Sequence, residues 1–111
     1  MGLSISTEAR NDFTVIHVGG DLDVYTAPRL KESLDEAIAG GSRLILDLSE
    51  VEFSDSTALG VLVGARQGVQ ANHGDLRLVV GDPFLLKIFH ITGFDGIFAI
   101  YPQIEEAITG D

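Results

Sequence analysis

A short turn rich in serine and aspartate holds the residues with the clearest capacity for chemistry. Ser54, Asp55, Ser56 and Thr57 stand between an apolar run and a helical pattern, at the predicted start of a helix. The unpaired amides and the dipole of a helix N-terminus favour an anion there. Because Ser54 or Asp55 can cap this helix, the Ser56 hydroxyl stays free to accept a phosphoryl group. The residue types alone favour the commoner interpretation, a plain helix cap.

A phosphate on Ser56 would change the charge of this turn sharply. It would add about 1.5–2 negative charges next to Asp55. The preceding loop, residues 49–55, contains no lysine or arginine that could neutralise them. We therefore expect a phosphate at this position to leave the domain folded and to repel a protein docked over the helix.

Two further carboxylates, Asp21 and Asp23, follow an earlier strand and are predicted to lie at the same edge of the sheet. An enzyme-like alternative makes Asp47 a phosphoacceptor and this pair its metal ligands. However, Asp47 lies inside a strand pattern and more simply serves structure there. Both lysines, Lys31 and Lys87, fall in helical patterns, which leaves no lysine at the end of the last strand to hold a phosphoryl group.

Strands and helices alternate in the pattern that must position these residues. Apolar runs predict strands over residues 3–6, 13–18, 43–48, 76–80 and 97–101, with a hairpin turn at residues 8–12. The Gly19-Gly20 pair is predicted to end the second strand. Helices are predicted from a Thr26 cap, from Ser54 or Asp55, from Asp82-Pro83 and from Pro102.

The resulting order is β-β-α-β-α-β-α-β-α. Strand-helix alternation indicates parallel pairing through right-handed crossovers, with helices covering the sheet. We therefore predict one α/β domain over residues 1–111, built on a mixed β-sheet that is parallel apart from its N-terminal strand.

Composition excludes several functional classes. The formal charge is −10 and basic residues are few, so direct nucleic-acid binding is not expected. The chain has no cysteine, and its three histidines are scattered, so we predict no metal site and no cofactor. No apolar run approaches the ~20 residues that a bilayer requires, and no secretory signal is recognisable, so a cytoplasmic protein is expected.

Two other features have structural interpretations. His17 shares a strand face with Phe13 and Val15 and is predicted to be a packing residue. A row of glycines spaced four residues apart is predicted to let the second helix pack closely on the sheet; a smooth face for a partner helix is the alternative. The row consists of Gly60, Gly64 and Gly68. Nothing in the sequence demands a dimer.

Three segments resemble, in order, the signatures of the STAS-domain anti-sigma factor antagonists. They are residues 20–30 (GDLDVYTAPRL), residues 46–62 (LDLSEVEFSDSTALGVL) and residues 91–98 (ITGFDGIF). In that family the serine directly after the aspartate is phosphorylated, and the matching position here is Ser56. The resemblance implies the same fold and a regulatory protein that is not an enzyme. One departure is Ala58, where a glycine is common; alanine stiffens a helical turn.

The resemblance also implies partners and a switch. The unphosphorylated protein would bind an anti-sigma factor that is a serine kinase, and this binding would free a sigma factor. The phosphorylated protein would not bind. A phosphoserine phosphatase would remove the phosphate and restore the binding form. Ser56 is the expected acceptor, with Thr57 a weaker one. The expected partner-binding residues are Asp21, Asp23, Asp55, Ser56, Thr57, Ala58 and Leu59. The alternative within the family is a ligand-binding or scaffolding module that phosphorylation does not regulate.

Overall fold

Residues 2–41 and 43–110, which the computed structural model describes, form five strands, four α-helices and one 3-10 turn. The strands are β1 (Leu3–Arg10), β2 (Phe13–Leu22), β3 (Arg43–Ser54), β4 (Asp75–Val79) and β5 (Ala99–Tyr101). The helices are α1 (Ala27–Gly40), α2 (Ser56–Ala71), α3 (Pro83–Thr92) and α4 (Ile104–Thr109), and the 3-10 turn is Phe94–Gly96. This order is the predicted one.

The strands form a single mixed sheet in the spatial order β1-β2-β3-β4-β5. Strand β1 pairs antiparallel with β2, and every later neighbour pairs in parallel. The predicted fold class, a mixed α/β sheet that is parallel apart from its N-terminal strand, is confirmed. No helix among the described residues has both the length and the apolar character needed to cross a bilayer.

Side-chain alternation along the strands produces two cores of unequal size. The larger core holds one face of the sheet against helices α1, α2 and α3, through buried residues such as Leu30, Leu62 and Phe89. The smaller core lies on the other face under α4, where Ala107 packs with Phe13, Val15, Ile45 and Val79. Three helices on one face thus leave part of the opposite face uncovered.

Two strands run farther than the sequence predicted, and the extension positions the site. The expected break at Gly19-Gly20 is wrong because β2 continues to Leu22, with register shifts on either side of the glycine pair. Gly20 has φ +91°, and a Cβ there would lie 2.2 Å from the Gly2 carbonyl oxygen, so only glycine fits. The loop expected at residues 49–55 is likewise mostly strand, since β3 pairs with this bulged part of β2 as far as Ser54.

Smaller differences concern the first hairpin, the last strand and the glycine row. Strand β1 reaches Arg10, so the expected turn at residues 8–12 shrinks to its last two residues, and β5 begins at Ala99. The expected close packing of the glycine row on the sheet is wrong. Added Cβ atoms at Gly60 and Gly64 would meet no atom within 4 Å, and one at Gly68 would meet the Ile38 side chain at 3.2 Å.

Candidate functional site

Helix α2 begins at the serine that the sequence singled out. Asp55 is the N-cap residue, and its Oδ1 accepts a hydrogen bond of 2.9 Å from the backbone N–H of Thr57. The backbone N–H of Asp55 in turn donates to the Leu22 carbonyl oxygen at 3.2 Å, which fastens the helix start to the end of β2. Ser56 is the first helical residue and is exposed. Its hydroxyl is therefore accessible and is not the group that caps the helix.

The loop after β2 lies next to this helix start. The backbone pairing of Leu22 with Ser54 and of Asp21 with residue 53 aligns the two strand ends. Asp23 Oδ1 accepts hydrogen bonds from the backbone N–H groups of Tyr25 (2.9 Å) and Thr26 (3.1 Å). The predicted acidic pair thus adjoins the predicted phosphorylation site, and Asp23 also stabilises the turn that leads into α1.

The start of α1 differs from the expected Thr26 cap. Thr26 occupies the cap position, but its side chain makes no capping hydrogen bond with the helix. Its hydroxyl instead donates to the Asp21 carbonyl oxygen at 2.8 Å and accepts from the Asp23 backbone N–H at 3.0 Å. The carboxylate of Asp23 supplies the hydrogen bond that caps the turn, because it reaches the Thr26 backbone N–H.

The charge around Ser56 is predominantly negative. Asp55 precedes it directly, and the loop with Asp21 and Asp23 adjoins it. On helix α1, the Lys31 ammonium pairs with Asp35 at 2.7 Å, and the Arg29 guanidinium donates to the Leu3 carbonyl oxygen at 2.5 Å. Lys31 is thus paired with a carboxylate, whereas Arg29 is held by a neutral carbonyl oxygen and keeps its charge. A dianion added to Ser56 would add to the carboxylates that flank it.

The other residues expected to bind a partner are not equally accessible. Ala58 is only 1% exposed and packs in the larger core, so its inclusion among the partner-binding residues is wrong. Leu59 is half-buried and packs against the same core. Thr57 is half-buried and lines a cavity of about 300 Å³ between α1 and α2, together with Gly60 and Gly64. The accessible part of the predicted site is therefore centred on Ser56.

Asp47 lies away from this site and has a structural role. It is 5% exposed and belongs to the strand face opposite the larger core. Its Oδ2 lies 2.8 Å from His17 Nδ1, and its Oδ1 accepts from the Ser49 backbone N–H at 3.0 Å. The phosphoacceptor interpretation fails because this carboxylate is buried and bonded within the sheet.

His17 was predicted to be a packing residue, and that interpretation is wrong. Its ring bridges Glu8 and Asp47, with Nε2 2.5 Å from Glu8 Oε2. Burial lowers the pKa of His17, but the hydrogen bonds and charges of the two carboxylates outweigh it and raise the pKa above the ordinary 6.5. The parallel register places His17 opposite Asp47 on β3, a long-range pairing that local periodicity does not reveal.

The described residues, 2–41 and 43–110, contain no cluster of three or more His, Asp or Glu side chains suited to hold a metal ion. Histidine side chains instead contact carboxylates, as where His90 Nδ1 lies 2.9 Å from Asp95 Oδ2. The arrangement at Ser56 thus consists of an accessible hydroxyl on a capped helix start, flanked by carboxylates.

The profile of the STAS domain matches residues 4–107 of the chain. The chain belongs to the STAS domain family. It is 39% identical over 113 residues to an anti-sigma-B factor antagonist of Listeria monocytogenes, and the match covers 100% of this chain and 98% of that protein.

Two solved structures share the fold. An anti-sigma factor antagonist from Mycobacterium paratuberculosis superposes with a TM-score of 0.90 at 29% identity, over 97% of this chain and 92% of that one. The phosphorylated form of the Bacillus cell fate determinant SpoIIAA superposes with a TM-score of 0.73 at 23% identity, over 95% of this chain and 94% of that one.

In this STAS domain, two of the three signature segments meet and the third does not join them. Residues 20–30 and 46–62 contribute the neighbouring ends of β2 and β3 and the starts of α1 and α2. Residues 91–98 instead cover the end of α3, where the Phe94 ring lies between Phe89 and Phe98 at centroid distances of 6.3 and 5.7 Å. The third segment therefore supports the core.

Proposed function

We propose that this STAS domain is an anti-sigma factor antagonist whose binding is switched off by phosphorylation of Ser56. The unphosphorylated protein binds an anti-sigma factor that is also a serine kinase, and this binding releases the sigma factor. A phosphoserine phosphatase returns the protein to its binding form. The protein acts as a regulator in the cytoplasm, without catalysis of its own.

The observation that supports the proposal most directly is that Asp55, and not Ser56, caps helix α2. Asp55 caps the helix through the Thr57 backbone N–H, and Ser56 is exposed on the first turn. A kinase can reach this hydroxyl without unfolding the domain, and the phosphorylated side chain remains beside the positive end of the helix dipole. Phosphorylation is therefore compatible with the native fold.

The same charge is incompatible with a docked partner that already contacts the acidic loops. Two like charges about 4 Å apart repel by about 1 kcal/mol in water-like surroundings and by several kcal/mol when an interface excludes water. Each 1.4 kcal/mol weakens binding about tenfold. With Asp55 adjacent and the Asp21–Asp23 loop alongside, a single phosphate is sufficient to abolish a micromolar contact.

Two relatives support the assignment. The Listeria protein is an anti-sigma-B factor antagonist, and its similarity extends over this whole chain. SpoIIAA of Bacillus, an anti-sigma factor antagonist, has been solved in both unphosphorylated and phosphorylated forms. A STAS domain of this shape therefore tolerates a phosphate, as the geometry at Ser56 leads us to expect for this chain.

Incubation with the anti-sigma factor kinase of the same organism and Mg-ATP tests the proposal. Intact-mass spectrometry should show one added phosphate on the wild type and none on Ser56→Ala. The matched controls Ser54→Ala and Thr57→Val should accept one phosphate as the wild type does. A full phosphate on Ser56→Ala, or an unmodified wild type that also fails to bind the kinase, would refute the proposed function.

A further inference from the structure

An apolar groove lies beside Ser56, between the end of β3 and helix α3. It encloses a cavity of about 200 Å³. The β3–α3 groove is lined by Val51, Glu52, Ser54, Asp82, Phe84, Leu85 and Ile88. Since Ser54 ends β3 only two residues before Ser56, the groove adjoins the surface on which the proposed switch acts.

The fold does not account for the apolar rim of this groove. Helix α3 contributes Leu85 and Phe89 to the larger core, where both are buried. Phe84 lies next to Leu85 on the helix but is 70% exposed. A large apolar side chain that stays in water at the edge of a concave apolar surface is typical of a binding site for another molecule.

Two carboxylates flank the apolar lining. Glu52 lies on the β3 side and Asp82 on the α3 side, and both are exposed. Asp82 Oδ1 caps α3 by accepting from the Phe84 backbone N–H at 3.1 Å. Among the described residues, neither carboxylate forms a salt bridge. The groove therefore combines an apolar floor with negative charge that the domain itself does not neutralise.

This combination selects its occupant by charge. A second copy of the chain would bring a further formal charge of −10 to the contact, which like-charge repulsion disfavours. An apolar side chain flanked by lysine or arginine would instead fill the groove and neutralise its two edges. Such a segment, on a protein that also covers Ser56, would contact both surfaces at once.

We propose that the β3–α3 groove is a second docking site, which binds a segment of the anti-sigma factor that carries an apolar residue next to lysine or arginine. The identity of this partner rests on the proposed function, whereas the chemistry of the segment rests on the groove. The groove supplies affinity for the partner, and the Ser56 turn supplies the switch.

Binding of the unphosphorylated full chain to the anti-sigma factor kinase, measured by calorimetry, tests the proposal. Phe84→Ala should weaken binding at least about fivefold, as expected when an interface aromatic is truncated. The matched control is Ile91→Ala, since Ile91 is 71% exposed on the same helix, two turns beyond Phe84, and does not line the groove; it should bind as the wild type does. Because Phe84 is exposed, circular dichroism of Phe84→Ala should match the wild type.

Charge variants test the flanking carboxylates. Glu52→Gln should weaken binding about two- to fivefold and flatten its dependence on salt, because a rim charge acts mainly through long-range attraction. Glu36→Gln removes another exposed carboxylate, from α1 and outside the groove lining, and should have no comparable effect. Equal binding by wild type, Phe84→Ala and Glu52→Gln would overturn the proposal.

A peptide titration separates failure of the groove from failure of the proposed function. A short synthetic peptide of leucine and lysine should shift the NMR signals of groove residues in the wild type, and a matched peptide with glutamate in place of lysine should not. Peptide binding without kinase binding would retain the groove and refute the function. If Ser56→Asp weakens kinase binding and Phe84→Ala does not, the proposed function stands and the proposal for the groove is refuted. Self-association that depends on Phe84, or a co-purified small molecule whose binding depends on Phe84, would also refute the proposal for the groove.

Discussion

Replacement of Asp55 tests its role as the cap of helix α2. In Asp55→Ala the 2.9 Å hydrogen bond to the Thr57 backbone N–H is lost, and the first turn of a sixteen-residue helix loses its side-chain cap. Loss of an aspartate cap costs about 1 kcal/mol of stability, within a range of about 0.5–2. For a domain of this size that corresponds to a fall in melting temperature of about 4 °C.

Asp55→Asn is the matched control, because asparagine keeps a side-chain oxygen acceptor while the charge disappears. It should unfold within a few tenths of a kcal/mol of the wild type. Urea denaturation followed by circular dichroism measures both variants, with the slope against denaturant serving as a check that the unfolded reference is unchanged. If Asp55→Asn were destabilised as much as Asp55→Ala, charge and not the hydrogen bond would stabilise this turn, and our account of the cap would be wrong.

Three further predictions concern the scaffold. Because the pKa of His17 is raised in the folded state, its contribution to the free energy of unfolding is complete below about pH 6.5 and is lost as the pH rises through the folded-state pKa. The free energy of unfolding measured in urea should therefore fall as the pH rises above about 6.5 in the wild type, and it should vary less in His17→Gln. The guanidinium of Arg77 donates to the carbonyl oxygens of Ala107 and Gly110 at 2.5 and 2.6 Å, and Arg77→Met removes this donor. The substitution should lower the free energy of unfolding by about 2–3 kcal/mol in denaturant titrations, and a decrease below about 0.5 kcal/mol would contradict this role of Arg77. Gly64→Ala should raise stability by about 0.5–1 kcal/mol, because its added methyl meets no atom within 4 Å, and a decrease would show that this face is not open.

The sequence was sufficient for the order of elements and for the chemistry of the α2 start. Apolar periodicity is a local property, and so are the capping preference of Asp55 and the availability of the following hydroxyl. The accessible position of Ser56 could therefore be predicted from a few neighbouring residues. The structure agrees, with Asp55 as the cap and Ser56 exposed.

What the sequence did not reveal depends on pairing across the sheet. Strand β3 extends to Ser54 because the bulged end of β2 supplies its hydrogen-bonding partners, and the register shifts that make this possible are not visible in either segment alone. The same limitation explains His17, whose partners Glu8 and Asp47 come from the two neighbouring strands. The pattern of its own strand alone predicts a packing role.

The rotation of helix α2 about its own axis is the second feature that the sequence does not reveal. The helical pattern predicts that Ala58 and the glycine row belong to α2, but it does not establish which of these residues face the core. In the structure Ala58 turns inward, and the first two glycines of the row line an open groove toward α1. The packing of α1 against α2 settles this orientation, and such packing emerges only when the whole sheet is assembled.

The most direct test of the switch compares the affinity of one kinase for the same chain with and without a phosphate on Ser56. Calorimetry should show binding of the unphosphorylated protein and at least a tenfold loss, about 1.4 kcal/mol, for the phosphorylated one, while their circular dichroism spectra coincide. Equal affinities, or a phosphorylated chain that has lost its fold, would contradict the claim that a single dianion on an exposed helix start controls docking.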